Sequence, residues 1–371
     1  MAKFFHLFCS FLTLTCYLHG QPLNDFEEEF IKIVQNVKSS VVKIKISYSH
    51  KTTLRESSGI ILNEEGYIVT VASAVKGANS IWVYPDINQR FLAKLIGTDN
   101  PTNLALLKID SKDVKPVERG LSDSLRVGAF VIVFGNPYGL NNSVSTGIVS
   151  GLNRCVWSKE CKRPLPGLIQ TTAPMNPGDD GGLVVDSKGR FVGMSFSTLN
   201  RDILSQGEQE FLSSLIEFLK DMQKDERAKT FLKILISRIE KNNLAISPGN
   251  TISQNINFVL PSKMVYWVAE QIIKNGKVKR GWLGISVKDN ELKEGAIVTN
   301  IAIGGPSINA GIMIGDELIE IDGKPVINSY TLLEQTAYWL EGDKLLLKIR
   351  REGIESLVPI TLIAMPHKKI E

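Results

Sequence analysis

From Ser40 to Phe196 the chain strings short β-branched and aliphatic runs between Gly, Asn and Pro. Val41-Val42-Lys43-Ile44-Lys45-Ile46, Gly59-Ile60-Ile61-Leu62, Tyr67-Ile68-Val69-Thr70 and Ile81-Trp82-Val83-Tyr84 are four of them; Ala105 to Ile109, Phe130 to Phe134 and Phe191 to Met194 are three more. Many short strands at this spacing predict a β-barrel or sandwich. Helical periodicity flanks the region. Phe26, Phe30, Ile33, Val34 and Val37 share one stripe, with Asp25 as the expected N-cap and Glu28 three residues on. Between Gln206 and Asn242, Phe211, Leu215 and Leu219 lie on one stripe and Phe231, Leu235 and Ile239 on another. The charges of Gln223 to Arg227 break the phase, which predicts two helices or a kinked one. Strand character returns at Ile256 to Leu260. Ser262 to Asn275 then reads as a helix ended by Gly276, and a last α/β module has the size of a small domain.

The beginning of the chain changes the picture. Lys3 followed by the apolar run Phe4 to Leu18 has signal-peptide character and is short for a membrane span, with cleavage expected after Gly20. A lipid-modified Cys16 is the minor alternative. The mature chain is therefore expected in the periplasm or outside the cell. Of four cysteines it keeps Cys155 and Cys161, read either as a disulfide or as two free thiols. Hydrophobic content of 43% and charged content of 22% suit a soluble globular protein, and the net charge of +4 marks no nucleic-acid surface. Nothing in the sequence calls for a cofactor. Between His50 and His367 there is no histidine, so no metal site is expected.

Four strings, in order, resemble the HtrA (Deg) family of exported serine proteases. They are Gly59 to Leu62 through Thr70 to Val75; Thr102-Asn103-Leu104-Ala105-Leu106-Leu107-Lys108; Phe134-Gly135-Asn136-Pro137 through Ser145-Thr146-Gly147; and Asn176-Pro177-Gly178-Asp179-Asp180-Gly181-Gly182. The module after Lys279 resembles that family's PDZ domain. The resemblance implies a mainly β protein: a chymotrypsin/trypsin-like double β-barrel with a helical insertion, then a C-terminal α/β PDZ domain. The expected divisions are a signal peptide (1–20), an N-terminal helix (21–39), a protease-fold domain (40–265) with the insertion at 206–242, a linker helix (266–278) and the PDZ domain (279–366).

The departures from the family bear on chemistry. Ser73 stands where the family has its catalytic histidine, Asn103 where it has the aspartate, and Asp180 where it has the serine. A serine hydroxyl is no base near neutral pH, and an asparagine stabilises no imidazolium. The expectation is a pseudoprotease with no catalytic residue. The amides of Gly178 and Asp180 mark the remnant oxyanion hole. The Asp180 carboxylate either takes up those amides or is a tolerated turn residue beside Asp179. Rescue by His50, and an aspartic mechanism from Asp179 and Asp180, rank lower.

In the PDZ module, Trp282-Leu283-Gly284-Ile285 matches the carboxylate-binding loop, with Lys279 and Arg280 beside it to favour an anionic end. Tyr330 to Leu340 reads as the groove helix. Implied partners are unfolded proteins or protein C-termini, and an active HtrA relative; the resemblance also implies a homotrimer. The insertion covers the site, docks a partner or packs on the barrel's flank. A divergent protease and a surface interaction protein remain the competing readings.

Overall fold

The computed structural model describes residues 24–48, 51–86, 88–111, 113–158, 163–198 and 256–364. The expected leader with Cys16, His50, Cys161 and the insertion at 206–242 lie outside the described residues.

Helix α1 (residues 24–37) turns Phe30, Ile33, Val34 and Val37 onto the main core, as its stripe predicts. It is already helical at residue 24, so Asp25 lies within the helix rather than capping it. An acidic residue near that end suits the positive pole of the helix.

Strands β1 (Val41–Tyr48), β2 (Lys51–Ile61), β3 (Tyr67–Val71), β4 (Ser80–Asp86), β5 (Gln89–Leu92), β6 (Lys94–Asp99) and β7 (Leu104–Lys108) form one sheet, ordered β5-β4-β1-β2-β3-β7-β6. The short helix α2 (Ala72–Val75) follows β3 directly. Strands β8 (Phe130–Gly135), β9 (Ser143–Ser158), β10 (Arg163–Thr171), β11 (Leu183–Asp186), β12 (Phe191–Thr198) and β13 (Asn257–Pro261) close a barrel in the order β10-β13-β12-β11-β8-β9.

The uninterrupted apolar runs have a physical reason. In β8, Val131 and Val133 point into the barrel's own core, while Ile132 and Phe134 point into the larger core shared with the first sheet. Strands β11 and β13 do the same: Val184 and Val259 go inward, Leu183, Val185, Phe258 and Leu260 outward. A strand covered on both faces has no polar face to alternate with.

Helix α3 (Ser262–Asn275) ends on Gly276 in the left-handed conformation, φ 73°. Its Met264, Val265, Val268, Ala269 and Ile272 are buried in the larger core, so it packs as part of the barrel pair. Beyond it come β14 (Gly281–Trp282), β15 (Ile285–Asp289), β16 (Ala296–Ile301), helix α4 (Pro306–Asn309), β17 (Glu317–Ile321), β18 (Lys324–Pro325), helix α5 (Ser329–Thr336), β19 (Lys344–Arg351), β20 (Ile354–Thr361) and β21 (Ile363–Ala364). The sheet runs β15-β16-β17-β19-β20, which leaves β15 on an edge beside α5. This module has a separate core around Leu318, Leu347, Ile349 and Leu362. Helix α5 starts in a capping box: Asn328 Oδ1 accepts from the Thr331 amide at 3.0 Å. It stops at Thr336, shorter than the run to Leu340 expected from periodicity, because Ala337 and Trp339 bend back with their amides donating to Glu334 and Thr336. The expected fold class is the one observed.

Candidate functional site

Two of the three singled-out positions, Ser73 and Asn103, are in contact, and the third, Asp180, is tied through its backbone to β2 of the first sheet. Ser73 lies in α2, and Asn103 follows a 3-10 turn at Asn100–Thr102 in a left-handed conformation, φ 52°. Asparagine tolerates that region better than most residues. Asn103 caps α2 with its side chain: Oδ1 accepts from the Ser73 amide at 2.8 Å and Nδ2 donates to Ser73 Oγ at 3.2 Å. Its carbonyl takes the Ala72 amide at 2.7 Å. The two side chains therefore satisfy each other as a neutral pair. Neither holds a group that takes up a proton in the working range of an enzyme.

The third position sits on a loop tied down along its backbone. The Gly178 carbonyl accepts from Ser58 Oγ at 2.8 Å, and the Asp180 carbonyl accepts from Ser57 Oγ at 3.0 Å. Pro177 O takes the Tyr138 amide at 2.9 Å, and Gly181 N donates to Ser195 O at 2.9 Å. Thr70, three residues before Ser73, donates through Oγ1 to the Ser58 carbonyl at 2.7 Å, which joins this loop to α2 through β2 and β3. Gly181 has φ 84°, and a Cβ there would lie 2.4 Å from Ser58 O. Only glycine fits so close to another backbone.

Asp179 is buried and its Oδ2 accepts from the Asn176 amide at 2.8 Å. Burial pushes its carboxyl above the usual range, and the Asn176 amide only partly offsets this.

The second site lies on the C-terminal module. The Leu283 carbonyl accepts from Ser307 Oγ at 2.7 Å, and the Gly284 carbonyl takes the Ala302 amide at 2.7 Å. Because a trans peptide sets N–H opposite C=O, the Gly284 and Ile285 amides point the other way. Gly284 has φ 77° and packs against Gly305. A cavity of roughly 410 Å³ runs beside this turn, lined by Trp282 to Val287 on one side and Leu333, Thr336 and Ala337 on the other.

Residues 57–194 match the model of the trypsin-like peptidase domain, and residues 281–362 that of the PDZ domain. The chain joins a trypsin-like peptidase domain to a PDZ domain, as HtrA proteins do. It is 30% identical over 319 residues to the probable periplasmic serine endoprotease DegP-like of Pseudomonas fulva (strain 12-X), covering 83% of this chain and 56% of that one. The protein of the same name from Chlamydia trachomatis is 28% identical, covering 83% of this chain and 54% of the relative. The chain thus spans little more than half the length of these curated relatives. Among solved structures, the HtrA-type protease AlgW with tripeptide superposes with a TM-score of 0.70 at 25% identity, over 92% of this chain and 99% of that one.

The PDZ domain is docked on the peptidase domain. Arg280 is buried, with Nη2 2.6 Å from Asp99 Oδ2 and Nε 3.3 Å from Oδ1, and it lies over the Trp267 ring at 5.1 Å. Nη1 donates to the Ala337 carbonyl. This guanidinium is spent on the domain interface, so the expectation that Arg280 draws an anionic ligand end is corrected. Lys279 lies 3.7 Å from Glu341. Asp99 also accepts from Thr102 Oγ1 at 2.7 Å, one residue before Asn103. Pro164, Leu165 and Pro166 of β10 form a third wall of the cavity.

Cys155 is a half-buried thiol with no disulfide partner among the described residues, Cys161 lying outside them, and burial and nearby Glu334 push its pKa up to about 11. Sequence reading missed the bonding roles of Ser57, Ser58 and Thr70. Their signal was polar groups inside strand runs: all three are buried, and buried polar groups are there to be bonded.

Proposed function

We propose that this chain is a non-hydrolytic HtrA-type protein, a pseudoprotease that binds unfolded proteins or protein C-termini through its PDZ groove and its altered peptidase cleft. The observation that carries this is the Asn103–Ser73 pair. Where the family's general base and its orienting acid would stand, two neutral side chains bond to each other, and Asp180 holds the nucleophile's place. Removing the whole triad of subtilisin costs on the order of 10⁶ in turnover, so a chain without any triad member is left with binding and its backbone amides. The groove supplies the positive function: the amides of Gly284 and Ile285 face a terminal carboxylate, and β15 offers a strand edge to the tail. The relatives' names, periplasmic serine endoproteases, favour an exported chain; chaperone, adaptor or regulator of an active relative is the role left to a chain without the triad, and the family resemblance favours a trimer.

The test is casein hydrolysis by the purified chain with an Asp180→Ala variant alongside. The expected outcome is no cleavage by either, with casein aggregation suppressed by both. Cleavage that Asp180→Ala abolishes would overturn the proposal and favour the divergent protease.

A further inference from the structure

The face of α5 that docks on the barrel carries a carboxylate with no ion-pair partner among the described residues. Glu334 is half-buried over the β9–β10 hairpin, in a cleft of roughly 340 Å³ with Leu152, Asn153, Pro166 and Gly167. Its neighbours are accountable one by one. From β9, Cys155 offers a neutral thiol and Arg154 is turned to Gln170, with Nε 3.0 Å from Oε1. From β10, Pro166 and Gly167 bring no charge. From α3, Lys263 is engaged by Asp123 of the Ser122–Ser124 turn at 2.6 Å and lies 5.5 Å over the Tyr338 ring. On the helix's own end, Tyr338 is a neutral phenol whose pKa burial pushes up to about 12. Arg280 is held by Asp99 and the Ala337 carbonyl.

We propose that Glu334 makes the docking of the PDZ domain on the barrel respond to acidity, closing the interface as the medium becomes more acidic. A carboxylate loses hydration when docked and gains no cation in return, so the docked state prefers it protonated. In keeping with this, burial raises the Glu334 carboxyl above its ordinary range. The sign follows from linkage. A carboxyl whose pKa is higher docked than free favours docking below its free value, and that preference is lost as pH rises through the docked value. Because α5 and β10 are two walls of the peptide cavity, they part when the interface opens. The inference rests on the interface and not on the loss of hydrolysis, so either can fail without the other.

The experiment uses the full chain with fluorophores on unnatural residues at Lys188 and Glu352, both exposed. Energy transfer is followed from about pH 5 to about pH 8, a window above the ordinary Glu value. The expected result is a fall in the docked-to-undocked ratio of the parent as pH rises across this window. Glu334→Gln should stay docked throughout. A parent that does not change with pH overturns the proposal. So does a Glu334→Gln variant that follows the parent's profile, which would give the effect to another group.

Discussion

At the scale of single residues, two positions on the loop before β11 differ in what a substitution costs. Gly181 is locked by its left-handed backbone and by the Ser58 carbonyl, so Gly181→Ala is expected to destabilise the chain by about 1–3 kcal/mol, read from the denaturant midpoint. Asp179 behaves in the opposite way. Its carboxyl is raised by burial, so its protonated form fits the fold better. Stability from this group is full below the unfolded carboxylate value and falls as pH rises through the folded one. Asp179→Asn should keep the Asn176 contact, flatten that slope and raise the midpoint at neutral pH. A parent that gains stability with rising pH in the same range, relative to the variant, would refute this.

At the scale of elements, much of the chain was legible. The helix from Ser262 to Asn275 and its Gly276 stop stand where the pattern put them, because an apolar stripe and a left-handed glycine are local signals. The strands of both sheets were legible as runs. Their partition between two cores was not, since β8 alternates between two apolar surroundings and the sequence sees only apolar residues. The groove helix was read too long for a related reason. Trp339 keeps the apolar spacing of α5 but packs in a bend after it, against the PDZ core. Of the site, the sequence singled out Ser73, Asn103 and Asp180 by order along the chain, and the Ser73–Asn103 contact is the part the structure adds. The serines that tie the Asp180 loop were not, because their partners are backbone carbonyls far away in sequence. The role of Arg280 was misread for the same reason: Asp99 lies 181 residues before it. Groove chemistry can be tested at this scale. A labelled peptide with an apolar free C-terminus should bind at least about tenfold tighter than its amidated form, a loss of about 1.4 kcal/mol, because amidation removes the charge that the Gly284 and Ile285 amides would hold. Equal affinities in fluorescence anisotropy would remove the turn from recognition.

At the scale of the whole molecule, a buried ion pair joins the PDZ and peptidase domains, and the consequences of breaking it are unequal. Removing one partner of a buried pair leaves the other charge stranded, at about 3–5 kcal/mol. Arg280→Met should therefore unfold or undock the chain more readily than Arg280→Met combined with Asp99→Asn, where no charge is left behind. A single variant as stable as the double would show that the pair carries little weight. The closed barrel holds a different consequence. Its seam is β13, which pairs with β10 on one side and β12 on the other, yet β13 begins at Asn257, long after β12 ends at Thr198. On the ribosome, therefore, five of the six strands emerge first, and the facing edges of β10 and β12 wait unpaired until residues 257–261 follow. Exposed edges invite pairing with other nascent chains, so the interval between Thr198 and Asn257 is when a newly made copy most needs a holding partner.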